Sequence, residues 1–238
     1  MAGGILDNEA MSVIPTINRY LLILAVGAVA VILLMLAWPR LGASVRYLPV
    51  DTAISKYWET AEPNVEQLDA LIGRAREVID LHDHYRYWEG LSELQTLSAR
   101  DESKSYWQRQ QALEQSILSA VEVVKRAPAK PRAWLRIART KALLGYPADE
   151  VIPAWKMSVL TGRVEPPLML ARLELGFRYF GGLDDEAVAL LRDQVVLTWA
   201  VHKRAVLRRL KDGSLDLDLL RKVLSDHHPD IIAEMEAG

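Results

Sequence analysis

The sequence predicts an all-α protein in which one transmembrane helix is followed by an array of helical hairpins. Residues 20–38 form an uncharged apolar run, close to the roughly 20 residues that a helix needs to cross the core of a bilayer. Beyond this run, apolar residues recur every three or four positions, which is the period of an amphipathic helix. No segment of the chain shows the sustained alternation that is typical of β-strands.

The composition fits one folded domain beside the span. The chain has 238 residues, and its 29 basic and 31 acidic residues give a net charge of −2. The basic excess of a nucleic-acid-binding surface is missing, so we expect no nucleic-acid partner. The absence of cysteine excludes disulfides, thiolate chemistry and cysteine-based zinc sites.

We predict a polar leader over residues 1–18 and the transmembrane helix over residues 19–39. Tyr20 and Trp38 stand at the two ends of the apolar run, where amphipathic rings prefer the headgroup level. A cleaved signal peptide is the first alternative, but its apolar region is shorter and ends in small residues, unlike Trp38-Pro39. A buried soluble helix is the second, and it is rarely apolar on every face over such a length.

The charges beside the span leave its orientation open. Arg19 precedes the run, whereas Arg40 and Arg46 follow it, and the preference of basic residues for the cytoplasmic side would place the following domain in the cytoplasm. Against this, the leader is short and carries Asp7 and Glu9. A long domain is also translocated largely regardless of its charge.

Residues 40–63 are predicted to be a juxtamembrane linker, in which Pro49 and Pro63 act as breaks. Residues 64–67 then resemble a capping box that begins the first helix of the domain. Apolar residues with helical spacing follow, and they are Val65, Leu68, Ile72, Ala75 and Ile79. Two further helices are predicted, one from His84 to Leu97 and one from Tyr106 to the residues before Pro128.

Two pairs of helices with similar spacing come next. Pro131 begins a helix that Gly145-Tyr-Pro147 ends, and its partner ends at Gly162. Pro166 begins the second pair, whose two helices are separated by Gly181-Gly182. The two starting prolines are about 35 positions apart, close to the period of about 34 residues of a helix-turn-helix repeat.

The first pair resembles a degenerate tetratricopeptide repeat, and the residues that carry the resemblance are Trp134, Ala138, Gly145 and Ala154. The second pair lacks the tryptophan and the small residue at the matching positions. The resemblance covers residues 64–200 and implies a tetratricopeptide-like array whose concave face binds other chains. Residues 201–238 form a C-terminal helical appendage in this interpretation. A simple all-α bundle is the alternative.

A second resemblance covers the whole chain. The span, residues 46–53, residues 82–92 and the repeat-like tail together resemble membrane-anchored accessory proteins of bacterial polysaccharide assembly or export. This resemblance implies a single-pass protein of the bacterial inner membrane with a periplasmic C-terminal domain. The implied partners are the lipid bilayer and membrane or periplasmic proteins of an envelope complex, with polysaccharide as a further candidate.

Two groups of residues are candidate contact surfaces. Flat aromatic rings stack on sugars or receive partner side chains, although rings at helical spacing also pack between helices. This aromatic group comprises Tyr85, Tyr87, Trp88, Tyr106 and Trp107. Clustered basic side chains attract anionic lipid or acidic partners, or form a solvated helix face. This basic group comprises Lys203, Arg204, Arg208, Arg209 and Lys211.

The sequence shows no catalytic motif such as H-E-x-x-H, a glycine-rich phosphate loop or a nucleophile elbow. His82 and His84 would point to different sides of a helix, while Asp80 and His84 would share one side. A capping or solvated turn is the simpler interpretation of these residues. We therefore predict a non-enzymatic scaffold or adaptor without metal or cofactor. The alternatives are a glycan-binding or accessory subunit of a polysaccharide enzyme and an assembly factor of a pilus or secretion system.

Overall fold

The computed structural model describes residues 7–60, 67–224 and 227–237, and these residues form helices without any strand. The all-α prediction is thereby confirmed. A short 3₁₀ turn, Phe180–Gly182, joins two of the helices. The α-helices are α1 Asp7–Thr60, α2 Leu68–Leu81, α3 Tyr85–Ser98, α4 Tyr106–Arg126, α5 Pro131–Leu143, α6 Ala148–Thr161, α7 Pro166–Arg178, α8 Asp185–Lys211, α9 Leu217–Leu224 and α10 Pro229–Ala237.

Helix α1 has 54 residues and contains the whole apolar run. Among the described residues it is the one helix that is long and apolar enough to cross a membrane. The predicted break at Pro49 is absent, because α1 continues through Pro39 and Pro49 to Thr60. Each proline removes one backbone hydrogen bond, but the helix beyond Pro39 packs against the rest of the protein. Residues 40–60 are therefore helix and not linker.

The predicted polar leader and the predicted capping box both lie partly outside the described residues. Residues 7–18 of the predicted leader belong to α1, while residues 1–6 lie outside the described part of the chain. The predicted capping box lies largely in residues 61–66, which are also outside it, as is Pro63. Helix α2 begins at Leu68, with Gln67 at its N-cap position.

The end of α1 forms a hydrophobic core with α2 and α3. Ala43, Tyr47 and Val50 of α1 are buried in this first core. The Tyr47 ring lies 4.8 Å from the Tyr87 ring, and its hydroxyl donates to the carbonyl oxygen of Arg86 at 3.4 Å. Helix α1 is thus a structural part of the domain.

A second core extends from α4 to α10. Its largest fully buried side chain is Trp155 of α6, whose Nε1 donates to the carbonyl oxygen of Arg172 at 2.9 Å. Trp134 is only half-buried, and its Nε1 donates to the carbonyl oxygen of Pro128 at 2.7 Å. Trp134 lies on the same apolar stripe of the sequence as Ile137 and Ala138, a pattern that predicts a core residue, and this prediction is wrong. Ala133 and Ala138 take the deepest apolar positions of α5, and the indole of Trp134 faces the preceding loop.

Successive helices pack against each other, and alternate helices also make contact. Helix α5 touches α7, and α6 touches α8. Gly145, with φ of 78°, ends α5 in the left-handed conformation that favours glycine. Helix α8 runs across the predicted boundary at residue 200 and has a non-helical residue at His202. The predicted appendage shares the second core through side chains that include Val206, Leu220 and Ile231.

Candidate functional site

Helices α1, α3, α5 and α7 line a common groove of about 460 Å³. We call it the arginine groove, because four of its side chains are arginines. One carboxylate, that of Glu93, is present among the lining residues. The lining residues are Tyr57, Trp58, Glu93, Thr96, Arg100, Arg132, Leu135, Arg136, Arg139, Thr140, Leu143, Pro167, Leu168 and Ala171.

Arg136 holds the inner wall of the groove together. It forms a buried ion pair with Glu93, and its Nη1 donates to the carbonyl oxygen of Glu89 at 2.9 Å. Burial lowers the pKa of Arg136 to about 10, so the side chain remains protonated at neutral pH. Because Glu93 is engaged by Arg136, it offers little neutralisation to the other arginines.

The other three arginines have no carboxylate partner within ion-pair distance among the described residues. The Arg132 guanidinium lies 6.0 Å from the centre of the Trp58 ring, and Arg100 Nη1 donates to the hydroxyl of Tyr57. Burial lowers the pKa of Arg139, Glu174 opposes this change, and the positive charge of Arg100 adds to it. These guanidiniums are available to bind an anionic group.

Thr140 adds a buried polar atom to the same wall. The residue is 1% exposed, and its Oγ1 has no hydrogen-bond partner among the described residues. A buried hydroxyl without a partner costs about 1–3 kcal/mol. An occupant of the groove that bonds to this hydroxyl would recover part of that cost. The groove therefore combines positive charge, apolar side chains and an unpartnered hydroxyl.

The structure divides the predicted aromatic group. Tyr87 is buried in the first core. Tyr106 and Trp107 are 59% and 78% exposed, and their rings meet edge to face at 5.5 Å. They stand at the start of α4, whereas Tyr85 and Trp88 contact residues at or after the end of that helix. The five rings consequently do not form one surface.

Tyr85 and Trp88 belong to a polar network at the α2–α3 loop. Lys130 Nζ lies 4.4 Å from the centre of the Tyr85 ring, and the Arg126 guanidinium lies 5.1 Å from that of Trp88. Asp83 accepts from Trp88 Nε1 at 2.7 Å and from Arg126 Nε at 2.6 Å. Both rings are half-buried. Trp88 also borders a second groove, of about 500 Å³, between α2, α3 and α4.

The basic group lies on the second half of α8, and part of it is engaged. Lys203 pairs with Glu234 at 2.6 Å, and Arg209 pairs with Glu174 at 3.0 Å. Arg204, Arg208 and Lys211 are exposed. None of the five lines the arginine groove, so the basic group and the groove are separate surfaces.

His82 and His84 lie in the α2–α3 loop, and His84 is the N-cap residue of α3, in agreement with the interpretation as a capping turn. Their rings stack at 5.9 Å, and Nδ1 of His84 accepts from the backbone N–H of Arg86 at 3.4 Å. Burial lowers the pKa of His84, and the neighbouring charge of His82 lowers it further. In the part of the chain that the structure describes, no group of three or more potential ligands is placed to hold a metal ion.

Comparison of the chain with models of known protein families, with curated proteins and with solved structures finds no match. The likeness to tetratricopeptide repeats and to polysaccharide accessory proteins therefore stays an expectation from the sequence.

Sequence reasoning missed the arginine groove, although one signal for it is present. Arg132, Arg136 and Arg139 have the spacing of residues on one face of a helix. The other walls come from α1, α3 and α7, which are distant in sequence. Only the tertiary structure shows that Trp58 and Arg100 stand beside this face.

Proposed function

We propose that this protein is a membrane-anchored scaffold that holds a partner protein in the arginine groove. The observation that carries the proposal is the groove itself, which is built by alternate helices of a domain that begins with the anchor helix. Tyr57 and Trp58 of α1 line this groove, while residues 20–38 of the same helix form the apolar run. The anchor and the binding surface thus share one rigid element.

The tetratricopeptide-like arrangement is part of the proposal. The pairs α5–α6 and α7–α8 begin about 35 residues apart, as expected for such a repeat. Contacts between α5 and α7, and between α6 and α8, are consistent with stacked hairpins. A Cβ on Gly162 would lie 2.6 Å from Pro131, so the turn that ends the first pair packs tightly on its start. Stacked hairpins present a groove that suits an extended segment of another protein.

We place the protein in a bacterial inner membrane, with the domain in the periplasm and with a role in polysaccharide assembly or export. The short acidic leader and the likeness of the whole chain support this placement. A tethered domain meets partners of the same membrane at high effective concentration, so modest contacts can suffice. Fusions at the C-terminus test the orientation: a reporter active only in the periplasm should be active, and activity of a cytoplasm-only reporter alone would reverse it.

A glycan-binding role is the second candidate, and it is favoured by Tyr106 and Trp107. These two rings are strongly exposed at the start of α4, where a sugar face could stack on them. They lie outside the arginine groove. Replacing both with alanine separates the two functions, because it should leave capture of a protein partner intact and abolish any glycan binding.

Photo-crosslinking in native membranes tests the scaffold. A photoreactive amino acid is placed at Leu143, which lines the groove and is 59% exposed. The matched control is Leu160 of α6, which is 55% exposed and lies outside the groove. We expect a protein adduct from position 143 and none from position 160. Equal adducts at both positions, or none at 143, would overturn the proposed function.

A further inference from the structure

We propose that the arginine groove binds an acidic segment of a partner protein, with carboxylates on Arg132 and Arg139 and aliphatic side chains on the leucines of the groove. This occupant presupposes the scaffold function proposed above. It specifies the chemistry that the partner must present: carboxylates separated by apolar residues in an extended chain.

The charges of the groove require an anionic occupant. Four guanidiniums line it against one carboxylate, and that carboxylate is held by Arg136. Arg132 and Arg139 are left without an ion-pair partner among the described side chains, and both stand on the groove face of α5. A guanidinium binds a carboxylate through two parallel hydrogen bonds. Inside a partly shielded groove such a pair is stronger than at an open surface.

The spacing of the two arginines favours an extended peptide. Arg132 and Arg139 are two turns apart on α5, which corresponds to about 10 Å along the helix at 1.5 Å per residue. A chain in the extended polyproline II conformation has three residues per turn and advances about 3.1 Å per residue. Side chains three positions apart on such a chain therefore lie on the same side and about 9 Å apart. Two acidic residues with this separation can reach both arginines at once.

The remaining lining residues favour a peptide over a charged sugar polymer. Leu135, Leu143 and Leu168 lie in the same groove, and a sugar polymer has no aliphatic side chains that would cover them. Burying such side chains is favourable in proportion to their apolar area. The unpartnered hydroxyl of Thr140 can donate to a carbonyl or a carboxylate of the segment.

The position of the groove argues against a lipid headgroup of the same membrane. Trp38 ends the apolar run, and Trp58 at the groove lies about 30 Å further along α1 at 1.5 Å per residue. Both residues belong to the one helix, which continues through them without an interruption. The groove is thus held away from the bilayer in which α1 is anchored.

Peptide binding to the full-length protein in nanodiscs tests this inference. The probe is a fluorescein-labelled peptide with three Glu-Leu-Gly units, and its control has glutamine in place of glutamate. Polygalacturonate is the competing anionic glycan. The test variant carries Arg132→Gln and Arg139→Gln, and the matched variant carries Arg204→Gln and Arg208→Gln, which remove the same charge from the exposed face of α8. Fluorescence anisotropy gives the dissociation constants, and circular dichroism verifies folding.

We expect the glutamate peptide to bind, the glutamine peptide to bind at least tenfold more weakly, and the Arg132/Arg139 variant to lose at least tenfold in affinity. The Arg204/Arg208 variant should bind as the unaltered protein does. Equal binding to both variants, or a loss only with Arg204/Arg208, would overturn the inference. Polygalacturonate bound through Arg132 and Arg139 in place of the peptide would assign the groove to glycans instead.

Two further measurements complete the test. Thr140→Val preserves the shape of the side chain and leaves both arginines in place, so the variant should fold normally and bind the glutamate peptide severalfold more weakly. Unchanged affinity would show that Thr140 is not part of the site. The crosslink at Leu143 separates the two proposals. If the crosslink persists while the glutamate peptide does not bind, the scaffold function stands and the proposal of an acidic segment is wrong. If the crosslink is also lost, both are wrong.

Discussion

Trp88 is the residue through which the two hydrophobic cores meet. Its ring packs against both, and its Nε1 bonds to Asp83. Arg126 reaches the same carboxylate with two nitrogen atoms, each at 2.6 Å. This arrangement joins the α2–α3 loop to the end of α4. We therefore interpret Trp88 as a structural residue, although the sequence also made it a candidate for ligand contact.

Asp83 should make the stability of the protein dependent on pH. The hydrogen bond from Arg126 lowers the pKa of this carboxyl, and the bond from Trp88 lowers it further. A carboxyl with a lowered folded-state pKa stabilises the fold above its unfolded pKa and loses this effect as the pH falls through the folded value. Asp83→Asn should thus lower the melting temperature at pH 7, with the gap to the unaltered protein closing below about pH 4.

The measurement is a series of thermal melts of both proteins between pH 7 and pH 2. Arg126→Gln provides a comparison, because it removes the same interaction from the other side, together with the Arg126–Glu122 ion pair, and should show the same trend. A gap in melting temperature that is constant over this range would mean that the contribution of Asp83 to stability does not depend on its charge.

Trp155 should be the most important tryptophan for stability. It is 1% exposed, and removing a buried side chain of this size costs about 3–5 kcal/mol. We expect Trp155→Ala to reduce the free energy of unfolding by this amount and Trp134→Ala to reduce it clearly less. Urea unfolding of the full-length protein in micelles, followed by circular dichroism, compares the two. A larger loss at Trp134 would contradict the packing described above.

Trp134 and Trp155 also show what sequence patterns can resolve at this scale. Both lie among apolar residues with helical spacing, and periodicity identifies the face of a helix on which a residue stands. It does not give the depth of each position, which depends on the neighbouring helices. The arginines of α5 illustrate the same limit, because their common face follows from spacing. The absence of a carboxylate partner for Arg132 and Arg139 among the described residues does not follow from it.

At the scale of helices, local signals predicted most boundaries well. The predicted helix from His84 to Leu97 is observed as Tyr85–Ser98, and the helix beginning at Tyr106 ends at Arg126, before Pro128. Capping side chains stand at the two starts, His84 for α3 and Ser105 for α4, and Pro128 follows the end of α4. Within α1, proline does not mark a helix end as predicted, because packing of residues 43–50 on α2 and α3 outweighs the hydrogen bonds lost at the prolines.

Gly90 controls the docking of α1 on α3. A Cβ at this position would overlap the hydroxyl of Tyr47 and lie 2.9 Å from its Cζ. Gly90→Ala should therefore destabilise the protein, although alanine favours a helix interior by about 0.5–1 kcal/mol over glycine. Gly73→Ala in α2 is the matched control, because nothing lies within 4 Å of its added Cβ. That variant should be as stable as the unaltered protein or more so.

Urea unfolding of these variants, together with Tyr47→Phe, completes a double-mutant cycle. Removing the hydroxyl relieves the closest overlap, so Tyr47→Phe should recover part of the stability lost in Gly90→Ala. Additive effects of the two changes would show that they do not contact each other.

On the scale of the whole molecule, a membrane location is predicted from the uncharged run of α1, residues 20–38. Val29 lies near its middle and is exposed on the helix surface. Placing arginine at the centre of a span costs about 2.5–3.5 kcal/mol on insertion scales. Val29→Arg should thus reduce the membrane-integrated fraction, whereas Val29→Leu should not. Carbonate extraction measures this fraction, and recovery of the unaltered protein in the soluble fraction would exclude a retained span.

Because α1 is one continuous helix, it sets the direction in which the groove faces relative to the apolar run. Each residue of an α-helix turns the chain by about 100° and raises it by 1.5 Å. One residue inserted between Trp38 and Ala43 would rotate the groove by about 100° relative to the apolar run of the helix. Seven inserted residues would restore this direction to within about 20° and move the groove about 10 Å further from the apolar run. The number of residues inserted between the apolar run and the domain thus controls both the direction in which the groove faces and its distance from the run.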